Sequence, residues 1–187
     1  MNWHFRGHDD FYAGGNNFFY FSAQHARNKD FRGPDFYFVK GVPRQPLRKW
    51  WCAWEEGGMM PHVIVELTSP TTAEEDYGVK KATYESLRVP EYYCYDPDAQ
   101  RLQGWRLAGS SGYASIEPDQ RGWLWCETLQ LWLGPWKGVF QDHDATWLRF
   151  YKPDGVVVPI GAEELAAEVA RLRAQLQPQP PKNRAAT

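Results

Sequence analysis

The stretch from Pro61 to Pro70, Pro-His-Val-Ile-Val-Glu-Leu-Thr-Ser-Pro, constrains this chain more tightly than any other. Val63 to Leu67 is a β-branched apolar run bounded by prolines, the pattern of a short buried strand. Side chains alternate along a strand, so Ile64, Glu66 and Thr68 share one face while Val63, Val65 and Leu67 share the other. Glu66 therefore stands among residues that belong in a core. A carboxylate placed there loses its hydration and requires a cation, a metal ion or strong donors beside it. The strand predicts a site as well as a core.

The flanking segments offer partners for that carboxylate. Ser69-Pro-Thr-Thr opens a helix, with Thr72 and Glu75 at the spacing of a capping box, and Val89-Pro90 stops it near Leu87. On that helix Asp76, Lys80 and Tyr84 fall on one face at i, i+4 and i+8. Upstream, Phe31 to Val39 predicts a strand entered through a Gly-Pro turn. Asp35 sits at its mouth, and Asp35, Tyr37 and Val39 alternate with Phe36 and Phe38. Asp35 and Glu66 can hold a divalent cation against a phosphate, where it would stabilise the charge that develops during phosphodiester attack. Lys80 can then orient or activate the attacking water, or neutralise the phosphate. The same residues also suit structural roles: Asp35 capping the turn after Pro34, Lys80 paired with Asp76 on the helix surface, and Glu66 satisfied at a sheet edge.

Further strands are predicted over 17–22, 92–95, 102–107, 113–116, 124–133, 147–151 and 156–160, with Lys152-Pro-Asp-Gly155 a turn between the last two. At 187 residues and 43% hydrophobic content the chain suits a single domain with a substantial core. The formal net charge of −2 supplies no global attraction for nucleic acid, so any such contact must come from a local patch. The loop from Lys40 to Met60 contains one: Arg44, Arg48 and Lys49 beside Trp50, Trp51 and Trp54. These can grip phosphates and stack on bases, or the tryptophans can cover a sheet edge while the charges stay solvated. Cys52, Cys94 and Cys126 lack metal-site spacing and read as reduced thiols. His62 shares the Glu66 face but lies next to the loop, as a hydrogen-bonded surface histidine would. No run approaches a membrane span, and the N-terminus has no basic region followed by an apolar one. A soluble, cytoplasmic protein is expected, with no membrane partner. The domain is expected to span 1–160. An amphipathic helix over 161–176 should follow, with Leu165, Val169, Leu172 and Leu176 on its stripe. It can dock on the domain or pair with a second copy as a homodimer. The Pro- and Gln-rich residues 177–187 are expected to be disordered.

Four motifs in order then carry a resemblance: Gly-Pro-Asp-Phe-Tyr-Phe-Val; Pro-His-Val-Ile-Val-Glu-Leu-Thr-Ser-Pro-Thr-Thr; Asp-Tyr-Gly-Val-Lys-Lys-Ala-Thr-Tyr; and Val-Pro-Glu-Tyr-Tyr-Cys-Tyr-Asp-Pro. From about Asp10 to Tyr151 the chain resembles the Uma-two family of restriction-endonuclease-like proteins, within the PD-(D/E)xK nuclease superfamily. The resemblance implies an α/β fold, with a mixed β-sheet core flanked by helices, added antiparallel hairpins and the C-terminal helix. It implies a DNA endonuclease dependent on Mg2+ or Mn2+, with Asp35 and Glu66 as metal ligands, the backbone carbonyl of Leu67 as a further ligand, and Lys80 as the catalytic lysine. Arg44, Arg48, Lys49 and Trp50 are the candidate substrate-binding residues. Thr68 occupies the position of the motif's usual lysine, and Lys80, from the next helix, matches the lysine this family uses instead. The family fold also begins with a helix before the Gly-Gly segment, which this chain is expected to enter at or inside its end. The competing expectation is a catalytically inactive binding or assembly protein on the same fold.

Overall fold

The computed structural model describes residue 1, residues 4–24 and residues 31–176, so the tail predicted over 177–187 lies outside the described residues. The chain divides into two compact units, one formed by Gly7–Val158 and the other by Met1–Arg6 with Pro159–Thr187.

The larger unit is built on a six-stranded mixed sheet. Its strands are β1 (Phe11–Gly14), β3 (Phe36–Lys40), β5 (Val63–Leu67), β6 (Glu91–Asp96), β7 (Arg101–Leu107) and β8 (Tyr113–Ser115), adjacent in that order. Only β5 and β6 run parallel, and their connection is the helical segment that the sequence places after Ser69. A parallel pair needs such a crossover, because a two-residue turn cannot return the chain to the same edge. That segment is a π-helix over Glu75–Lys80 continuing into α1 (Lys81–Ser86). The cap forms one turn earlier than predicted. Ser69 N–H donates to the Thr72 hydroxyl at 3.0 Å, one of the two bonds of such a box, three residues before the positions foreseen at Thr72 and Glu75.

The alternation read from β5 holds. Ile64 joins Tyr37, Val39, Tyr84, Tyr92, Cys94 and Trp105 in the core on the helix-bearing face. The opposite face is covered by a second sheet of β9 (Leu124–Cys126), β10 (Leu131–Phe140) and β11 (His143–Tyr151). Phe36 meets Phe150 across the two sheets, with ring centroids 5.8 Å apart. The predicted strand 124–133 is thus two strands, joined by a turn at 127–130. Glu91 fixes that turn: its buried carboxylate accepts from Glu127 N at 2.9 Å and Thr128 N at 2.8 Å, and from Arg106 Nε at 3.0 Å. These donors hold its pKa below the ordinary glutamate value against the opposing effect of burial.

Residues 156–160 form only an isolated bridge, Val157 to Tyr151, rather than a full strand. The aromatic run near Phe19 contributes β2 (Phe19–Tyr20), which pairs in parallel with β4 (Trp51–Cys52) from the Lys40–Met60 loop. All three cysteines are buried and unbridged.

In the smaller unit, α2 (Gly161–Leu176) forms as the periodicity predicts, with Glu163 accepting from Ile160 N at 2.9 Å near its start. Leu165, Val169 and Leu172 of its apolar stripe are exposed. No helix among the described residues is long and apolar enough to cross a membrane.

Candidate active site

The site is assembled where β3 and β5 run antiparallel. The ladder ends at the Phe36–Val65 pair, so Asp35 immediately precedes β3 where Glu66 follows Val65 in β5. Asp35 leaves the ladder at this point, and its Oδ2 accepts a hydrogen bond from Leu67 N at 2.7 Å. Its carboxylate therefore lies against the peptide that joins Glu66 to Leu67. Leu67 itself is 53% exposed at the lip of a cleft of about 230 Å³, whose lining includes Asp35, Phe36, Leu133 and Phe150.

The Gly-Gly segment makes this placement possible. Asn16 N donates to Pro34 O at 2.9 Å, drawing the end of β1 alongside the residues that precede β3. A Cβ on Gly15 would overlap the backbone carbonyl of Asp35, and one on Gly14 would meet the Tyr37 ring. Glycine is what lets the two chains approach so closely.

Glu66 projects towards the helical segment and is 1% exposed. Tyr84 donates its hydroxyl to Oε1 at 3.0 Å, and Lys80 Nζ lies 3.1 Å from Oε2. Lys80 also reaches Asp76 Oδ1 at 2.8 Å, so two buried carboxylates share one ammonium. The i, i+4, i+8 face expected from the sequence is the face that closes over Glu66. Burial pushes the Glu66 carboxyl up to about 7, against the opposing pull of Lys80 and Tyr84; the Asp76 charge adds to the rise. For Lys80, burial acts against the charge, but Asp76 and Glu66 outweigh it and hold the ammonium above the ordinary lysine value. Lys80 is thus a cation and a donor in this arrangement.

The donor chemistry suits a hard divalent ion. Among the described residues no three His, Cys, Asp or Glu side chains form a ready-made metal cage. Mg2+ does not require one: it commonly takes one or two carboxylates, keeps several waters and adds phosphate oxygens. Two buried carboxylates facing one ammonium, with a third carboxylate on the adjoining strand, leave an excess of negative charge that such an ion would offset.

Asp35, Glu66, Leu67 and Lys80 are brought into one neighbourhood, whereas the basic-aromatic loop is divided. Arg48 pairs with Glu56 through both Nε and Nη2, donates to Pro43 O at 2.9 Å and stacks on Tyr12 and Trp51. Its guanidinium is committed to holding the loop. Trp51 is fully buried and donates its ring N–H to Met59 O, covering the core as one of the two sequence readings allowed. Trp50 remains 48% exposed with Lys49 exposed beside it, and Arg44 lies over the Phe11 ring. His62 is hydrogen-bonded, with Nδ1 accepting from Lys40 N at 3.3 Å.

A mixed sheet with a helical crossover on one face, added antiparallel hairpins and a C-terminal helix are consistent with a restriction-endonuclease-like fold. Residues 1–135 match the family described as "Uma2: Putative restriction endonuclease", and the chain belongs to that family. No curated protein matches it.

Proposed function

We propose that this protein is a divalent-metal-dependent endonuclease that hydrolyses DNA phosphodiester bonds at Asp35, Glu66 and Lys80. The observation that carries the reading is the Asp35 carboxylate bonded to Leu67 N, on the peptide that follows Glu66, with Lys80 paired to that glutamate. Asp35, Glu66 and the backbone carbonyl of Leu67 would hold Mg2+ or Mn2+, which supplies positive charge to the phosphate as attack proceeds. Tyr84 fixes the rotamer of Glu66 by occupying one of its oxygens. Lys80, kept protonated by its carboxylate neighbours, donates to the attacking water or to a phosphate oxygen rather than abstracting a proton. Lys49 and Trp50 extend the contact to substrate through phosphate pairing and base stacking, with Arg44 a weaker contributor.

The test is cleavage of supercoiled plasmid and of single-stranded DNA in Mg2+ or Mn2+, with a chelator as control. Wild-type protein should cut, Glu66→Ala should abolish cutting while DNA binding persists, and Lys80→Ala should slow it without loss of metal. A wild-type protein that binds no metal and cuts neither substrate would instead be a binding or assembly module, with the exposed stripe of α2 as its natural interface.

A further inference from the structure

We infer that Asp76 is a positioning residue of this site: it retains Lys80 when Glu66 turns from the ammonium to the cation. The inference rests on the nuclease reading and concerns a residue outside the Asp35, Glu66 and Lys80 set. Lys80 lies between two buried carboxylates and is closer to Asp76, at 2.8 Å, than to Glu66, at 3.1 Å. A lysine needed only to neutralise Glu66 would be satisfied by that residue alone, and a second buried carboxylate adds desolvation cost. Its benefit arises once Glu66 is engaged elsewhere. Asp76 then remains the partner that holds the ammonium beside the scissile group.

Asp76 is itself anchored for this task. Its backbone carbonyl accepts from the buried Tyr92 hydroxyl at 2.8 Å, tying the start of the π-helix to β6. The π-turn sets the direction of the side chains. At 3.6 residues per turn, a four-residue step overshoots a full α-turn by about 40°. In the wider i→i+5 turn the same step falls short of a full turn. Asp76 to Lys80 spans the π segment and Lys80 to Tyr84 spans α1, so the two drifts oppose each other. Lys80 and Tyr84 consequently both reach Glu66 while Asp76 reaches Lys80, where a continuous α-helix would have rotated Tyr84 away from Asp76. A π-turn at this one place in the crossover serves the alignment.

The experiment follows the Lys80 ammonium directly, in protein labelled with 15N-lysine, its signal assigned by loss in Lys80→Arg. In wild-type protein the Lys80 signal should persist when saturating Mg2+ is added. In Asp76→Asn it should vanish into solvent exchange on adding Mg2+. Cleavage by Asp76→Asn should slow roughly 100-fold, the size expected for a misplacement near 1 Å, with the KM for DNA unchanged. Asp76→Glu keeps the carboxylate and should retain the signal, which preserves the test if the asparagine variant fails to fold. The proposal is overturned if the wild-type signal is lost in Mg2+, if Asp76→Asn keeps it, or if Asp76→Glu loses it. Wild-type protein that holds the signal in Mg2+ yet cuts no DNA would refute the nuclease reading alone, because the ammonium signal does not depend on turnover.

Discussion

The hydroxyl of Tyr84 donates to Oε1 of Glu66 at 3.0 Å, a hydrogen bond between two fully buried residues on different elements of the crossover. It joins the strand that supplies the acid to the helix that supplies the lysine. With Lys80 on Oε2, both oxygens of Glu66 are engaged, yet burial still dominates its titration.

That balance gives stability a definite pH dependence in the absence of divalent cations. The Glu66 carboxyl rises from 4.5 to about 7 on folding, so between these values the folded chain holds a proton that the unfolded chain has released. Stability from this group is fully present below pH 4.5 and lost as pH rises through about 7, for a total of roughly 3 kcal/mol. Glu66→Gln removes this slope. Urea unfolding at pH 5 and pH 8 should show the variant gaining on wild type as pH increases; parallel dependences would contradict the burial-driven shift.

Glu91 presents the opposite case, a buried carboxylate with its donors in place. Glu91→Gln leaves the Arg106 charge without its partner and weakens the bonds to the 127–130 turn, at a cost of about 3 kcal/mol. A lower urea midpoint with an unchanged cleavage rate for the folded fraction is expected. An equal fall in both would place Glu91 in the chemistry.

Much of this arrangement was legible in the sequence because local periodicity encodes it. The Val63–Leu67 run gave both the strand and the inward Glu66, and the four-residue spacing of Asp76, Lys80 and Tyr84 gave the face that meets it. The π-turn was not legible, because no residue type in Glu75–Lys80 marks a widened turn. Nor was the role of Gly15, whose requirement comes from the Asp35 carbonyl just before β3. Arg48 and Lys49 are neighbours of similar type. Only the structure distinguishes the arginine paired with Glu56 from the exposed lysine beside it.

That distinction separates the two basic residues experimentally. Arg48→Ala should lower the melting temperature, because it removes the pairing with Glu56 and the stacking on Tyr12 and Trp51. Lys49→Ala should leave melting unchanged, weaken DNA binding for all sequences alike, and reduce the salt slope of affinity by about 1. Affinity measured across a salt series, alongside melting curves, decides the assignment. A stable Arg48→Ala with reduced DNA affinity would reverse it.

The most direct test of the account is Mn2+ binding followed by electron paramagnetic resonance in wild-type protein, Asp35→Asn and Glu66→Gln. If the two carboxylates share a cation, wild type should take up about one Mn2+ per chain, as a hard-oxygen site of this kind does. Each variant should then bind at least about tenfold more weakly, a loss of about 1.4 kcal/mol. Equal Mn2+ affinity in all three proteins, or no binding in any, would contradict the claim that Asp35 and Glu66 form a metal site.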